Sequence, residues 1–182
     1  MSHLRLVFVF LGLSSLAFQT VHAAEVGNIG DSEISAVERR VVTKNFGEVG
    51  FGPSLLLNMG ENGVAYHLVA GFQREATPDA AIRLQANTDF VPGHAWEGDA
   101  TLGMAYFFSR GDFSPLVSAA FGWGFANGNG WSNGFALAGT VGMQMFRTAS
   151  TQLSLEAGPR IVLDRAGDGM PVVWSLGLNL FY

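Results

Sequence analysis

Few residues of this chain are equipped for chemistry. There is no cysteine, which removes thiol nucleophiles and zinc–thiolate sites. Beyond residue 23 the histidines are His67 and His94. His94 falls in a Pro-Gly stretch read as a loop, with Trp96 and Glu97 nearby, and His67 could see Ser54 from a neighbouring segment. A hydroxyl nucleophile needs an adjacent base that is itself held in place, and neither histidine shows that pattern. The charged candidates are Arg83, Glu156 and Arg160, with Asp99, Gln85, Gln144 and His67 as candidate partners. If they share one enclosed space they must be paired. They would then form either a gated or proton-linked path or a self-satisfied polar plug, and the plug is the preferred reading. Glu156 and Arg160 are four residues apart; on one strand they share a face but stand roughly 13 Å apart, so each needs partners elsewhere. Asp164 and Asp168 lack the regular acidic spacing of a calcium loop, Arg110-Gly111-Asp112 reads as a turn, and no glycine-rich phosphate loop is present. No catalytic, metal-binding or cofactor-binding residue is assigned.

The elements that must position these side chains follow from a period of two. From Glu48 onward the chain divides into eight segments, 48–58, 64–75, 80–90, 98–109, 113–126, 134–147, 151–164 and 171–182, punctuated by Gly, Asn, Asp, Ser and Pro. In the last, Val172, Trp174, Leu176, Leu178, Leu180 and Tyr182 oppose Val173, Ser175, Gly177, Asn179 and Phe181. In the seventh, Leu153, Leu155, Ala157, Pro159, Ile161 and Leu163 oppose a face with Glu156 and Arg160. A helix does not hold this period over so many segments.

Alternation alone also fits a soluble barrel. The two cases differ in which face carries the large apolar groups. A soluble barrel fills its interior with them, whereas here the polar face mixes charges with many Gly and Ala residues, as a narrow eight-stranded interior requires. The bulky face would then meet lipid. Charged residues are only 14% of the chain, against a typical ~25%, and net charge is −5, which gives no support to nucleic-acid binding. Arg5, the apolar run 6–13 and Val21-His22-Ala23 have the pattern of a secretory signal peptide over 1–23. Residues 24–47 read as a periplasmic segment or an extension of the first strand, and 48–182 as the barrel.

Unpaired strand edges are too costly in hydrocarbon, so the reading is an all-β, eight-stranded antiparallel transmembrane up-and-down β-barrel. The connections after even-numbered segments read as shorter than the others, which points to periplasmic turns and periplasmic termini. Phe51, Tyr106, Phe108, Phe113 and Tyr182 read as an inner aromatic belt, and Trp96, Phe125, Trp131 and Phe135 as an outer one. Pro53, Pro115 and Pro159 lie inside segments. Pro159 is the awkward one, marking a bulge or an earlier exit from the membrane.

The signal peptide, the eight segments and the last strand with Trp174, Leu176, Leu178, Leu180 and terminal Tyr182 resemble the small bacterial outer-membrane barrels, such as the OmpA transmembrane domain and OmpX. In that family the last residue is more usually Phe. The resemblance implies an outer-membrane location, lipids and lipopolysaccharide as surroundings, recognition of the last strand by the barrel-assembly machinery, and a monomer. The function expected is a structural or interaction barrel without evident catalysis. The alternatives are a small pore or hydrophobic-solute conduit, and a lipid A-modifying enzyme.

Overall fold

The computed structural model describes residues 44–58, 63–92, 95–127, 131–164 and 170–182. The expected signal peptide over 1–23, the segment 24–43, His94 and Asp168 lie outside the described residues. Eight strands follow one another: β1 (Asn45–Leu57), β2 (Gly63–Thr77), β3 (Ala80–Phe90), β4 (Trp96–Phe107), β5 (Phe113–Asn127), β6 (Trp131–Met145), β7 (Gln152–Asp164) and β8 (Val172–Phe181). Each pairs antiparallel with its neighbours in sequence, and β1 pairs with β8 to close the barrel. Closure satisfies the two edges that a flat sheet would leave open.

The barrel is inside-out relative to a soluble protein. Leu84 is 55% exposed and Phe51 64%, whereas Arg83 is 2% exposed. Trp123, Leu155, Leu176 and Leu178 all stand on the outer surface, while Glu48, Asp89, Glu97, Asp99, Glu156 and Arg160 are buried within. Large apolar side chains around the exterior exceed what a water-soluble monomer exposes. They are the lipid-facing band of a membrane barrel.

Several boundaries differ from the reading of the sequence. The barrel starts at Asn45, not Glu48, because Gly47 exchanges backbone hydrogen bonds with Tyr182 (2.8 and 3.0 Å) and Asn45 pairs with Arg74. β4 begins at Trp96 and β6 at Trp131. Trp96, Glu97, Trp131 and Ser132 were expected in loops, yet the ladder continues through them, pairing Trp96 with Asn127 and Asn127 with Trp131. Polar residues signal a loop only when polarity means water; here Glu97 turns into the lumen and is buried. The connections consequently lose their clear size asymmetry. They are 78–79, 108–112 and 146–151 at the end holding the strand termini of β1 and β8, and 58–62, 91–95, 128–130 and 165–171 at the other. Phe51 pairs with Leu68 and Leu178 at mid-strand, so it belongs to the apolar band and not to a belt.

No bulge forms at Pro159. Register is kept on either side, from Ala138↔Arg160 to Val141↔Ala157, with the ladder skipped between. The same occurs at Pro53, between Phe51↔Leu178 and Ser54↔Ser175. Each proline follows a glycine whose neighbour strand presses in. A Cβ on Gly158 would sit 1.9 Å from the Gly139 carbonyl oxygen, and one on Gly52 1.8 Å from that of Leu176. Each Gly-Pro pair thus combines a missing donor with a missing side chain where the ladder is already interrupted. The register shift that does occur lies elsewhere, between Glu75 and Thr77 on β2.

Candidate functional site: the ionic interior

The barrel axis can be followed through five layers. At the end where β1 begins and β8 finishes, Ala81, Ala105, Phe107 and Leu116 form a buried apolar cluster. The Arg147 guanidinium lies over the Phe107 ring, 3.8 Å from its centroid, a cation–π contact. Arg147 also donates to the carbonyls of Ser109 (2.9 Å) and Pro78 (2.6 Å), tying three connections together. Arg110 of the Arg-Gly-Asp turn is bound to Asp79 at 2.8 and 2.6 Å, a structural pairing of two turns.

Next comes an ionic layer built on Arg83. Its Nη1 donates to both carboxylate oxygens of Glu156 (2.9 and 2.8 Å) and its Nε to Gln73 (2.7 Å). Thr140 and Ser154 donate to the same carboxylate at 3.0 and 2.7 Å. Gln85 donates to Glu48 at 2.9 and 3.1 Å. Charge-assisted bonds of this kind are the strong ones, and they pair the buried charges of Arg83 and Glu156, whose isolation would be prohibitive; among the described residues Arg83 Nη2 and Gln73 Nε2 are left without a hydrogen-bond partner.

Toward the other end, Arg160 forms the second ionic layer. It donates to Asp89 and has Asp99 at 3.4 Å and Glu97 at 3.6 Å. His67 Nδ1 lies 3.1 Å from Asp89, and Asn87 donates to Asp99 at 2.8 Å. A second apolar cluster of Leu56, Ala65, Ala95, Ala126 and Val173, with Val91 against it, follows.

Between the ionic layers lies a cavity of about 40 Å³ lined by His67, Asn87, Thr140, Glu156, Arg160 and Asn179 among others. That exceeds the roughly 10–15 Å³ needed to hold one water molecule.

The residues singled out in the sequence are largely brought together. Arg83 meets Glu156 and Arg160 meets Asp99, but the two sets occupy separate layers. Gln144 departs from the expectation: it bonds Gln152 near the terminal end of the lumen. His67 meets Asp89, not Ser54. Asp89, Glu97 and Glu48 belong to the network although none was a candidate partner. A period of two through 80–90 puts Asp89 on the same face as Arg83, and the same rule extended past the apparent loop would place Glu97. Among the described residues no group of three His, Cys, Asp or Glu side chains is arranged to hold a metal ion.

No protein-family model matches the chain, and neither does any curated protein sequence. Solved structures do. The chain is similar to Neisserial surface protein A at 8% identity, with TM-score 0.65 over 77% of this chain and 97% of that one. The fold is that of an eight-stranded outer-membrane barrel. The N-terminal barrel domain of Pseudomonas aeruginosa OprF (14% identity, TM-score 0.47, 76% and 100% covered) and the attachment invasion locus protein of Yersinia pestis (13%, 0.46, 77% and 99%) also align. At these identities the likeness extends to the fold alone.

Proposed function

We propose that this protein is a structural or interaction barrel of the bacterial outer membrane, with a lumen closed to ions and no catalytic role. The observation that carries the reading is the layered interior. Two apolar clusters flank two ionic layers, and the Arg83–Glu156 and Arg160–Asp89 pairs consume charges that a conducting pore would present to permeating ions. His67 faces the lumen and binds Asp89, which supports a packing role over base catalysis on a lipid substrate. The exterior carries the apolar band that outer-membrane lipids would cover. In this reading residues 1–23 direct export and are removed. The even strand number puts both termini on one side, the periplasm from which the chain inserts, and β8 with the following Tyr182 is presented to the assembly machinery. The barrel acts as a monomer.

Planar-bilayer recording of the refolded full chain tests the closed lumen. A silent barrel with heat-modifiable gel mobility is expected. Steady single-channel openings would overturn the reading in favour of a small pore. Unchanged lipid A masses on expression of the wild type are expected as well, and a new acylation state abolished by His67→Ala would establish an enzyme instead.

A further inference from the structure

The outer surface at the end away from the start of β1 and the end of β8 has an ordered composition. Cross-strand pairing through β4, β5 and β6 defines successive rows. Trp96, Asn127 and Trp131 form the outermost; Gly98, Phe125 and Asn133 the next; Ala100, Trp123 and Phe135 the third; and Leu102, Phe121 and Leu137 the fourth. All these positions belong to the outward set of their strands. The polar-to-apolar boundary therefore runs between Asn133 and Phe135, two residues apart on one strand. Above it, rings and primary amides interleave, and none of these residues carries a charge.

The rings form one contiguous cluster. Trp96 and Trp131 meet edge to face with centroids 5.8 Å apart, and Phe125 lies 5.9 Å from Trp131. The Trp96 ring packs over Gly98, its Cζ3 3.2 Å from where a Cβ would stand. Asn127 and Asn133 are exposed next to these rings. Aromatic rings at a membrane boundary need only be amphipathic. The two amides add donors and acceptors in equal measure, without the positive charge that a phosphate would call for. The C–H face of a sugar ring stacks on such aromatic surfaces, and its hydroxyls both give and take hydrogen bonds as a primary amide does.

We propose that the β4–β6 outer face binds the neutral saccharide headgroup of a membrane glycolipid, with Trp131 stacking on the sugar, Trp96 bracing Trp131 edge to face, and Asn127 and Asn133 bonding its hydroxyls. The proposal rests on the outer-membrane reading above, since the rows just below the boundary must face acyl chains. A glycolipid is preferred to a free saccharide for that reason: its tails would cover Trp123, Phe121 and Phe135 while its sugar meets the amides.

Native mass spectrometry of the detergent-folded full chain tests this, with diglucosyl diacylglycerol and phosphatidylethanolamine of the same acyl chains as probes. The wild type should retain the glycolipid in preference to the phospholipid. Asn127→Ala with Asn133→Ala should weaken glycolipid retention about tenfold and leave phosphatidylethanolamine unchanged, and Trp131→Leu should abolish the preference. Heat-modifiable mobility confirms that each variant is folded. Equal retention of both lipids by the wild type would reduce the face to an ordinary aromatic belt and overturn the proposal. Displacement of the glycolipid by maltose at matched concentration would overturn the choice of a lipid-borne sugar. Membrane fractionation is a separate readout, so failure of the outer-membrane reading is not confused with failure of saccharide binding.

Discussion

Arg83 on β3 spans the lumen to Glu156 on β7, with Nη1 2.9 and 2.8 Å from the two carboxylate oxygens of a residue 73 positions away in the chain. Both partners are buried and their strands are not neighbours in the barrel. The pair thus acts as a crossbar through the interior.

Removing one half of this crossbar strands the other. Arg83→Ala should destabilise the folded barrel by about 3–5 kcal/mol, the usual cost of leaving a buried charge alone. Arg83→Met combined with Glu156→Met should recover much of that loss, because an apolar pair of similar length needs no compensation. Urea unfolding of the refolded barrel in lipid vesicles, followed by gel mobility, checks both. Equal loss in single and double variants would show that the pair is not the stabilising unit.

The lipid band should respond to charge by depth. Leu84 pairs with Phe72 and Leu102 in the middle of the apolar surface, whereas Asn133 lies beyond its boundary. Leu84→Arg should cost about 2–4 kcal/mol and Asn133→Arg about 0–1 kcal/mol, as arginine does at the bilayer midplane and the interface respectively. The same unfolding measurement reads the difference. Equal effects at the two positions would place the membrane elsewhere.

Glycine is required at one side of the β6–β7 contact and not the other. A methyl group on Gly158 would meet the Gly139 carbonyl oxygen at 1.9 Å and the Thr140 Cα at 2.8 Å, whereas one on Gly139 would find only the Ser118 carbonyl oxygen at 3.8 Å. Gly158→Ala should therefore destabilise by about 1–3 kcal/mol, the range for overpacking, and Gly139→Ala should be tolerated. Comparing their unfolding midpoints checks the asymmetry.

Much of this architecture was legible along the chain. The segment 80–90 coincides with β3, and in the seventh segment the opposition of Leu155 to Glu156 and Arg160 separates outside from inside. Glu97, Trp131 and Ser132 misled because their polar or Gly-rich surroundings resemble loops. In a membrane barrel an inward polar residue continues the strand, and an amide beyond the apolar band costs nothing. Pro159 misled in a related way, because a proline is disruptive only if its missing donor was needed, and there the ladder was already interrupted.

Period-two alternation, scarce charge and the absence of cysteine were enough to dictate strands with one lipid-ready face and one crowded ionic face. These are properties of single segments, written locally in residue order. Partner choice was not local. Arg83 could equally have met Asp99, Asp89 or Glu48 by alternation alone; only strand stagger and the distance across a closed eight-stranded lumen give it Glu156, give Arg160 to Asp89, and leave a polar cavity between the two layers.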